Sequence, residues 1–336
     1  MKAIHSFGAG DVRLVTVPDP APSEGQVLIQ ITATGICGSD KWMWRHPEPV
    51  TWIIGHEVAG RVIALGPGVT RLRVGQRVAV NNVGGCGHCP ACRAGDFILC
   101  PQWDGSLDIN GGYAELVAAW ERNCLPVPDD LDDEAACLIF DNFGTPYGAL
   151  ERGEVRHGDD VLITGLGPIG MAAVILAKLR GAYVIAADPL PYRRDFALRL
   201  GADAALPPDE QLPDAVRDLT SGLGVRVALE CSGKSSAYPL ALSSLRVGGT
   251  LVSVGEGAQI TLRPSDQIIR RTLRIQGSWY SGMHQGRQVM ELMRTRQIDP
   301  HVLVTHRGSL EELPAIYRTV CEVEQGVMKA VIFPVK

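Results

Sequence analysis

The clearest indication of the fold is the stretch at residues 161–188, VLITGLGPIGMAAVILAKLRGAYVIAAD. An apolar strand at 161–165 runs into a glycine-rich turn, an apolar helix follows at 168–180, and a second strand occupies 183–188. This succession predicts a right-handed βαβ unit in a parallel sheet with helices on both faces. Further strands of the same sheet are predicted at 225–230, 249–254 and 272–277.

The turn in this stretch matches the pattern G-x-G-x-x-G, with Gly165, Gly167 and Gly170 at the fixed positions and Pro168 and Ile169 between the last two. The first glycine permits a tight turn, the second lets backbone approach a pyrophosphate, and the third lets the helix pack on the strand. Amides at the start of the helix then receive the phosphate charge. In this context the motif predicts a dinucleotide site; the alternative is that the glycines merely close a βα turn and that Asp188, which ends the second strand, caps the following segment.

An acidic residue, Asp188, ends the second strand. A carboxylate at this position accepts hydrogen bonds from both ribose hydroxyls and repels a 2′-phosphate, so NAD is favoured over NADP. Arg193 and Arg194 follow shortly afterwards. Arginines just past this strand can clamp a 2′-phosphate, which keeps NADP open as the alternative.

The overall composition predicts a soluble chain of about two domains. Its 336 residues are 46% hydrophobic, enough for a core in each domain. With 32 basic and 37 acidic residues the net charge is −5, which argues against binding to a nucleic-acid backbone. Asp11 and Arg13 interrupt any signal peptide, and no long apolar window predicts a membrane span. Nine cysteines, four of them clustered, favour metal thiolates in a reducing, cytoplasmic compartment.

The sequence before residue 148 has a different texture. Short β-branched runs separated by Pro and Gly predict a β-rich, barrel-like unit, and they lie at 27–33, 57–65 and 77–80. We therefore predict a first domain at 1–147 and the nucleotide-binding domain at 148–279. The remainder, 280–336, offers one amphipathic helix at 285–296 and short strands. Because this is too little for a domain, we expect it to pack on the first one.

Four cysteines follow the spacing C-x2-C-x2-C-x7-C, and they are Cys86, Cys89, Cys92 and Cys100. This spacing lets one loop wrap four thiolates around a tetrahedral ion, and four sulfur ligands leave no position open for a substrate. We therefore predict a structural zinc that stiffens a loop with little core of its own. His88 is interpreted as a bystander, because adjacency to Cys89 would strain it as a ligand. An iron–sulfur cluster is the alternative occupant.

A second set of donors is more widely spaced. Cys37 begins the sequence C-G-S-D, and His56 and Glu57 end the sequence G-H-E. A lone Cys is usually a small core residue, and a lone His after Gly often caps a turn. Beside a dinucleotide motif, however, the three suggest an open zinc site with mixed ligands and a position for water or alcoholate.

In their order along the chain, these motifs resemble those of the zinc-dependent medium-chain dehydrogenase/reductase family. The matching stretches are C-G-S-D (37–40), G-H-E (55–57), the cysteine cluster (86–100), G-G-Y-A-E (111–115) and G-L-G-P-I-G (165–170). The resemblance implies a Rossmann doubly wound parallel sheet inserted into a β-rich GroES-like catalytic domain, with hydride transfer in the cleft between them. It also implies that Cys37 and His56 ligate a catalytic zinc, and that Glu57 ligates it directly or in exchange with water.

The resemblance assigns the fourth ligand to the segment D-N-F-G-T-P-Y-G at 141–148. Asp141 matches the acid of the polyol and threonine dehydrogenase branch, whereas liver-type alcohol dehydrogenases have a Cys there. The proline and histidine of that branch's pattern are replaced by Asn142 and Gly148. These departures put the substrate in doubt rather than the metal.

By the same resemblance, Ser39 would take the proton of the substrate and Asp40 would orient the ligating histidine. Many relatives continue the proton path through a histidine where this chain has Trp42, which cannot relay a proton. We expect His46 or bulk water to replace that histidine. Trp42 and Trp44 either form an aromatic wall against a sugar-like substrate or simply pack in the protein.

Further cofactor contacts follow from the resemblance alone. Arg193 would hold the adenosine ribose, and Glu230, Gly255 and Ser278 would lie at strand ends that face the cofactor.

The predicted function is oxidation of a secondary alcohol (a polyol, sugar acid, amino alcohol or cyclitol) by hydride transfer to NAD, with two Zn²⁺ per chain. The expected partners are small molecules and, in a homodimer or homotetramer paired through the strand at 272–277, copies of the chain. No nucleic acid or membrane is expected. Three alternatives stay open: a zinc-free quinone or enoyl reductase, a lyase or epimerase that retains NAD, and a non-enzymatic NAD-binding protein.

Overall fold

The computed structural model describes residues 1–50, 52–103, 111–257, 259–322 and 326–335. The chain forms two compact units: unit one consists of Met1–Gly144 and Ser281–Lys336, and unit two of Thr145–Tyr280. No helix in the described ranges is long and apolar enough to cross a membrane.

The first part of unit one is mostly strand. Its elements are β1 (Lys2–Ser6), β2 (Val12–Thr16), β3 (Gln26–Ile36), α1 (Asp40–Arg45), β4 (Glu57–Leu65), β5 (Arg77–Val80), α2 (Pro90–Ala94), β6 (Leu116–Trp120), β7 (Cys124–Pro126) and α3 (Asp133–Cys137). Along β3, Val27, Ile29 and Ile31 are buried while the residues between them are half-buried. This alternation fits a strand with one face on the core, and the predicted strands at 57–65 and 77–80 coincide with β4 and β5.

Unit two alternates helices and strands. Its elements are α4 (Gly144–Arg152, which begins at the last residue of unit one), β8 (Asp160–Thr164), α5 (Pro168–Leu179), β9 (Tyr183–Ala187), α6 (Pro191–Arg199), β10 (Ala204–Leu206), α7 (Leu212–Leu219), β11 (Val225–Glu230), α8 (Ala237–Ser244), β12 (Leu245–Ser253) and β13 (Arg274–Gly277). The strands pair in parallel in the order β10-β9-β8-β11-β12-β13. This order confirms the predicted doubly wound Rossmann sheet.

The chain then returns to unit one with α9 (Met283–Arg294), β14 (Val304–Ser309), α10 (Leu313–Glu322) and β15 (Lys329–Phe333). β15 pairs antiparallel with β3, and the sheet runs β14-β15-β3-β4-β5-β7, with β6 also on β3. The sequence prediction for this segment missed α10. Its signal is a buried stripe of Leu313, Tyr317 and Cys321, spaced four residues apart as on one helix face.

Candidate metal centres and dinucleotide site

Unit one brings together the widely spaced donors: one ligand atom from each lies within 4.8 Å of the others, and the residues are Cys37, His56, Glu57 and Asp141. Cys37 directly follows β3, and Glu57 begins β4. These two ends are adjacent because β3 and β4 are antiparallel, with Gly35 opposite Glu57. A Cβ atom at Gly35 would lie 1.9 Å from Oε2 of Glu57, so the carboxylate fits only against glycine.

Asp141 reaches this group from a π-helical turn, Ile139–Phe143. Such single turns widen a helix locally and occur often at functional sites. The turn lets Oδ2 of Asp141 lie 3.0 Å from Sγ of Cys37 and 3.1 Å from Nε2 of His56. Three donor atoms from separate parts of the chain therefore converge on one point.

The electrostatics of this group fit a bound cation. Burial, and then the carboxylate of Asp141, raise the pKa of Cys37 to about 11, so without a metal the thiol is protonated and donates to Asp141. A divalent ion would reverse this, because it favours the thiolate. Oε2 of Glu57 is buried without a hydrogen-bond partner among the described residues, which leaves a donor atom for an ion or water. Sulfur, nitrogen and oxygen ligands together suit zinc.

Lys329, the first residue of β15, is a member of the site that the sequence analysis missed. It is 1% exposed, and its Nζ donates to Oε1 of the fully buried Glu57. Burial raises the pKa of Glu57 to about 7, and Lys329 opposes that rise. A signal existed in the sequence, because a lysine that opens the apolar run K-A-V-I-F requires a buried acid as its partner.

Asp40 supports two of the donors. Its Oδ1 lies 3.9 Å from Nδ1 of His56, and its Oδ2 accepts from the backbone N–H of Cys37 at 2.8 Å. The hydroxyl of Tyr113 donates to the same oxygen, and Tyr317 donates to the Asp40 carbonyl. Because the Asp40 carboxylate is fixed beside Nδ1 of His56, the other ring nitrogen, Nε2, faces the remaining candidate metal ligands.

The residues on either side of Asp40, from Ser39 to His46, differ in their exposure to solvent. Ser39 precedes α1, is exposed and makes no capping hydrogen bond with its side chain. Trp42 is 61% exposed, and its ring lies 4.9 Å from that of His46. Trp44 is buried, with its ring 5.8 Å from that of Tyr317, so for Trp44 the packing alternative is correct and the aromatic wall is not.

The clustered cysteines form the second group, with one sulfur from each within 4.8 Å of the others: Cys86, Cys89, Cys92 and Cys100. Cys89 caps α2 by accepting from the backbone N–H of Cys92. The backbone N–H of His88 lowers the pKa of Cys86 to about 6, which favours the thiolate that zinc requires. The His88 ring is exposed and bonded through Nδ1 to the Cys86 carbonyl, outside the sulfur group.

The glycine motif of unit two forms the turn between β8 and α5. Gly165 has φ +83°, and a Cβ there would lie 2.6 Å from the backbone nitrogen of Ser232. A Cβ at Gly170 would lie 2.0 Å from the Gly165 carbonyl oxygen, whereas one at Gly167 would meet no atom within 4 Å. The first and third glycines therefore serve close packing, and the second borders open space before the N-terminus of α5, as a pyrophosphate site requires.

Asp188 directly follows β9 and is buried. Its carboxylate accepts from the backbone N–H of Leu166 at 2.8 Å and of Leu190 at 2.9 Å. Arg193 lies 3.5 Å from the same carboxylate, and Arg194 donates to the Asp188 carbonyl. Asp188 thus fixes the glycine-rich turn, and both arginines adjoin it.

The remaining predicted cofactor residues lie at strand ends of the same sheet. Glu230, the last residue of β11, is buried and accepts from the N–H groups of Ser232 and Gly233. Gly255 donates to the Glu230 carbonyl at 2.8 Å, and Ser278 accepts from Arg152 at 3.2 Å. Glu230 therefore shapes the turn after β11.

An open cavity of about 730 Å³ in unit one is lined in part by His301 and Asp132, which together with Asp299 form a charged group that we call the His301 cluster. Nδ1 of His301 lies 2.8 Å from Asp299 and Nε2 lies 2.9 Å from Asp132. Both nitrogens therefore donate, which requires the imidazolium. Burial lowers the pKa of His301, but the carboxylates of Asp299, Asp132 and Glu134 outweigh it and raise the pKa above its ordinary value.

Each of the two units matches a known protein family over much of its length. Residues 23–129 match the alcohol dehydrogenase GroES-like domain, and residues 168–295 match the zinc-binding dehydrogenase family. The first match covers the β-rich part of unit one, and the second covers most of the parallel sheet.

Individual proteins are similar over nearly the whole chain. A zinc-type alcohol dehydrogenase-like protein of Escherichia coli is 36% identical over 94% of this chain and 94% of its own. The L-threonine 3-dehydrogenase of Pyrococcus horikoshii is 33% identical over 91% and 90%. The structure of 2R,3R-butanediol dehydrogenase from Bacillus subtilis superposes with a TM-score of 0.87 at 25% identity, covering 99% of both chains.

Proposed function

Because the chain belongs to the zinc-dependent medium-chain dehydrogenase/reductase family, in its threonine and polyol dehydrogenase-like branch, we propose that it oxidises a secondary alcohol to a ketone with NAD as the hydride acceptor. Alcohol oxidoreduction as such is the activity that the family supports. The secondary alcohol is supported by two relatives, a threonine 3-dehydrogenase and a 2R,3R-butanediol dehydrogenase.

The observation that carries the proposal is that Sγ of Cys37 and Nε2 of His56 lie 3.0 and 3.1 Å from Oδ2 of Asp141, with one ligand atom of Glu57 within 4.8 Å of the other three residues' ligand atoms. We infer that these four residues hold the catalytic zinc and that the four clustered cysteines hold a structural one. When bound at the first site, zinc supplies Lewis acidity that lowers the pKa of an alcohol.

Around this centre, the chain's own side chains prepare the proton transfer. Asp40 orients His56 through Nδ1, and the exposed Ser39 hydroxyl, two residues after Cys37, receives the proton of the alcohol. Nδ1 of His46 is hydrogen-bonded to the backbone carbonyl of Glu48. Because Ser39 is open to solvent, we propose that water, rather than His46, takes the proton onward. An altered pH–rate profile in His46→Ala would contradict this.

NAD is proposed over NADP because Asp188 directly follows β9, and an acidic residue after this strand would repel a 2′-phosphate. Arg193 adjoins it at 3.5 Å and would hold the ribose. Replacement of Asp188 by Ser should reduce the preference for NAD, measured as the ratio of kcat/KM with the two cofactors. An unchanged ratio would assign the choice to other residues.

We also propose that two copies pair through β13, which ends the sheet of unit two and has all four residues exposed. Sedimentation of the purified protein tests this. A dimer or tetramer that Ile275→Glu dissociates would support pairing through this edge, and a monomeric wild-type protein would refute it.

The decisive experiment combines zinc content per chain with a screen for NADH formation from polyols, sugar acids, threonine and cyclitols. Two zinc ions and NADH formation from a secondary alcohol are expected. One zinc that is lost only in Cys86→Ser, together with no NADH formation, would instead favour a reductase or a non-enzymatic NAD-binding protein.

A further inference from the structure

The π-helical turn that carries Asp141 is bonded by a side chain from a distant part of unit one. The hydroxyl of Ser281, a residue that is 1% exposed, donates to the Phe140 carbonyl at 2.6 Å, one residue before Asp141. Ser281 lies 141 residues further along the chain, where the chain returns to unit one. Because the bond is buried, neither group can exchange its partner for water, and breaking the bond leaves the carbonyl without that donor.

The form of this turn depends on contacts from outside it. The N–H of Phe143 bonds to the carbonyl of Leu138, five residues back, at 3.1 Å, whereas an α-helix would use the carbonyl four residues back. Turns of this kind are rare and occur mostly as single turns inside α-helices. Relaxation to α-helical bonding would change the direction of each side chain around the helix axis and would turn Asp141 away from Cys37 and His56.

Ser281 and the start of α9 pack directly against the turn. A Cβ at Gly144, the residue that follows the turn, would lie 2.5 Å from Oγ of Ser281. A Cβ at Gly286, in the first turn of α9, would lie 2.3 Å from Cε1 of Phe140. Glycine at both positions lets these segments approach more closely than any side chain would allow, so the turn has little room for another form.

Ser281 is itself fixed from two sides. Its carbonyl accepts from the side-chain amide of Asn81 at 2.9 Å, and Asn81 directly follows β5. Two residues after Ser281, the N–H of Met283 donates at 2.7 Å to the carbonyl of Gly95, which belongs to the loop of clustered cysteines. The end of β5 and the cysteine loop therefore hold the segment from which the Ser281 hydroxyl reaches the turn.

We propose that Ser281 is a positioning residue of the first metal centre: its hydroxyl holds the Phe140 carbonyl and thereby keeps the π-helical turn in the form that directs Asp141 at the other ligands. Ser281 acts through Asp141 and is not itself a metal ligand. This inference rests on the proposed function, because it presupposes zinc at this centre.

The test measures the zinc affinity of Ser281→Ala and of the wild type by competition with a chromophoric chelator. Cys37→Ser removes a ligand of the first centre, so the zinc that this variant lacks identifies that centre and separates it from the cysteine cluster. Ser281→Ala should weaken zinc binding at the first centre about tenfold, because residues that orient a metal ligand contribute at least this much to affinity. Zinc binding at the cysteine cluster should be unchanged.

Ser244→Ala is the matched control. Ser244 is also buried, and its hydroxyl donates to a backbone carbonyl, that of Leu240, at 2.8 Å, but it lies in α8 of unit two. The control therefore removes the same kind of hydrogen bond without touching the turn that carries Asp141. It should keep the full zinc affinity of the first centre. Equal losses of affinity in Ser244→Ala and Ser281→Ala would overturn the proposal.

A double-mutant cycle with Asp141→Asn separates positioning from a general structural role. If Ser281 acts through Asp141, Ser281→Ala should have almost no further effect once the carboxylate is gone, so the two losses of affinity should not add. The same tenfold loss in both backgrounds would overturn the proposal. Ser281→Cys keeps a weak donor at this position, so its affinity should lie between those of the wild type and Ser281→Ala, and it replaces Ser281→Ala in the cycle if that variant does not fold.

The same titrations distinguish failure of this inference from failure of the proposed function. If Cys37→Ser contains as much zinc as the wild type, the first centre holds no zinc, and the proposed function and this inference are both overturned. If zinc binds there with equal affinity in the wild type and Ser281→Ala, only this inference is overturned. A loss of affinity that disappears in the Asp141→Asn background supports the inference even if no alcohol in the screen is oxidised.

Discussion

The buried pair of Lys329 and Glu57 gives the sharpest test of the energetics of unit one. Lys329→Met keeps the length and apolar stem of the side chain and removes its charge. The carboxylate of Glu57 then remains fully buried, with Oε1 deprived of its donor and Oε2 already without a partner among the described residues. Burial already raises the pKa of Glu57 to about 7, so without Lys329 the carboxyl either keeps an uncompensated charge or takes up a proton, and either outcome destabilises the folded state.

The expected loss follows from the burial of both partners, which are 1% and 0% exposed at the side chain. Breaking such a pair from one side costs about 3–5 kcal/mol, which corresponds to a decrease in Tm of roughly 6–20 °C for a unit of this size. Glu57→Gln should cost a similar amount, because it leaves the ammonium of Lys329 buried. The double variant has no buried charge at this position, so it should recover at least half of the loss.

The assay is thermal and denaturant unfolding of the three variants and the wild type, with zinc content checked for each. Arg13→Met is the control, because Arg13 and Asp11 form an ion pair with 62% and 37% of their side chains exposed. That pair should contribute less than about 1 kcal/mol. A loss below about 1 kcal/mol in Lys329→Met, or a double variant no more stable than the single ones, would refute the reasoning.

Three further predictions concern other parts of the molecule. Cys100→Ser should lower the zinc content from about two per chain to about one, because a structural site needs all four thiolates; unchanged content would contradict this. The His301 cluster raises the pKa of His301, so the charged histidine stabilises the folded protein. This contribution is complete below the ordinary histidine pKa and is lost as pH rises through the raised value. With His301 39% exposed, the effect should stay below about 1 kcal/mol and be absent in His301→Gln, as urea unfolding against pH can check. Gly170→Ala should weaken NADH binding and lower Tm, because its Cβ would lie 2.0 Å from the Gly165 carbonyl oxygen; normal fluorescence titration and melting would refute the assigned packing.

Much of the fold was predictable because its signals are local. The doubly wound sheet follows from apolar strands, Gly165 and the helix after it, and the family matches confirm the GroES-like and Rossmann architecture. α10 was missed because its apolar stripe is short and follows a strand. β12 begins at Leu245, earlier than the predicted start at 249. Its start is set by pairing with the neighbouring strand β11 rather than by the local sequence.

For the candidate site, the types of ligand residue and their order along the chain can be read from the sequence, since the cysteine spacing and the C-G-S-D and G-H-E motifs lie within short segments. Which side chains contact one another follows from the three-dimensional fold alone. The π-helical turn that carries Asp141 and the lysine that pairs with Glu57 from 272 residues along the chain both depend on strand register and burial. A one-dimensional pattern does not encode these contacts, because each arises when packing brings distant segments together and removes their polar groups from water.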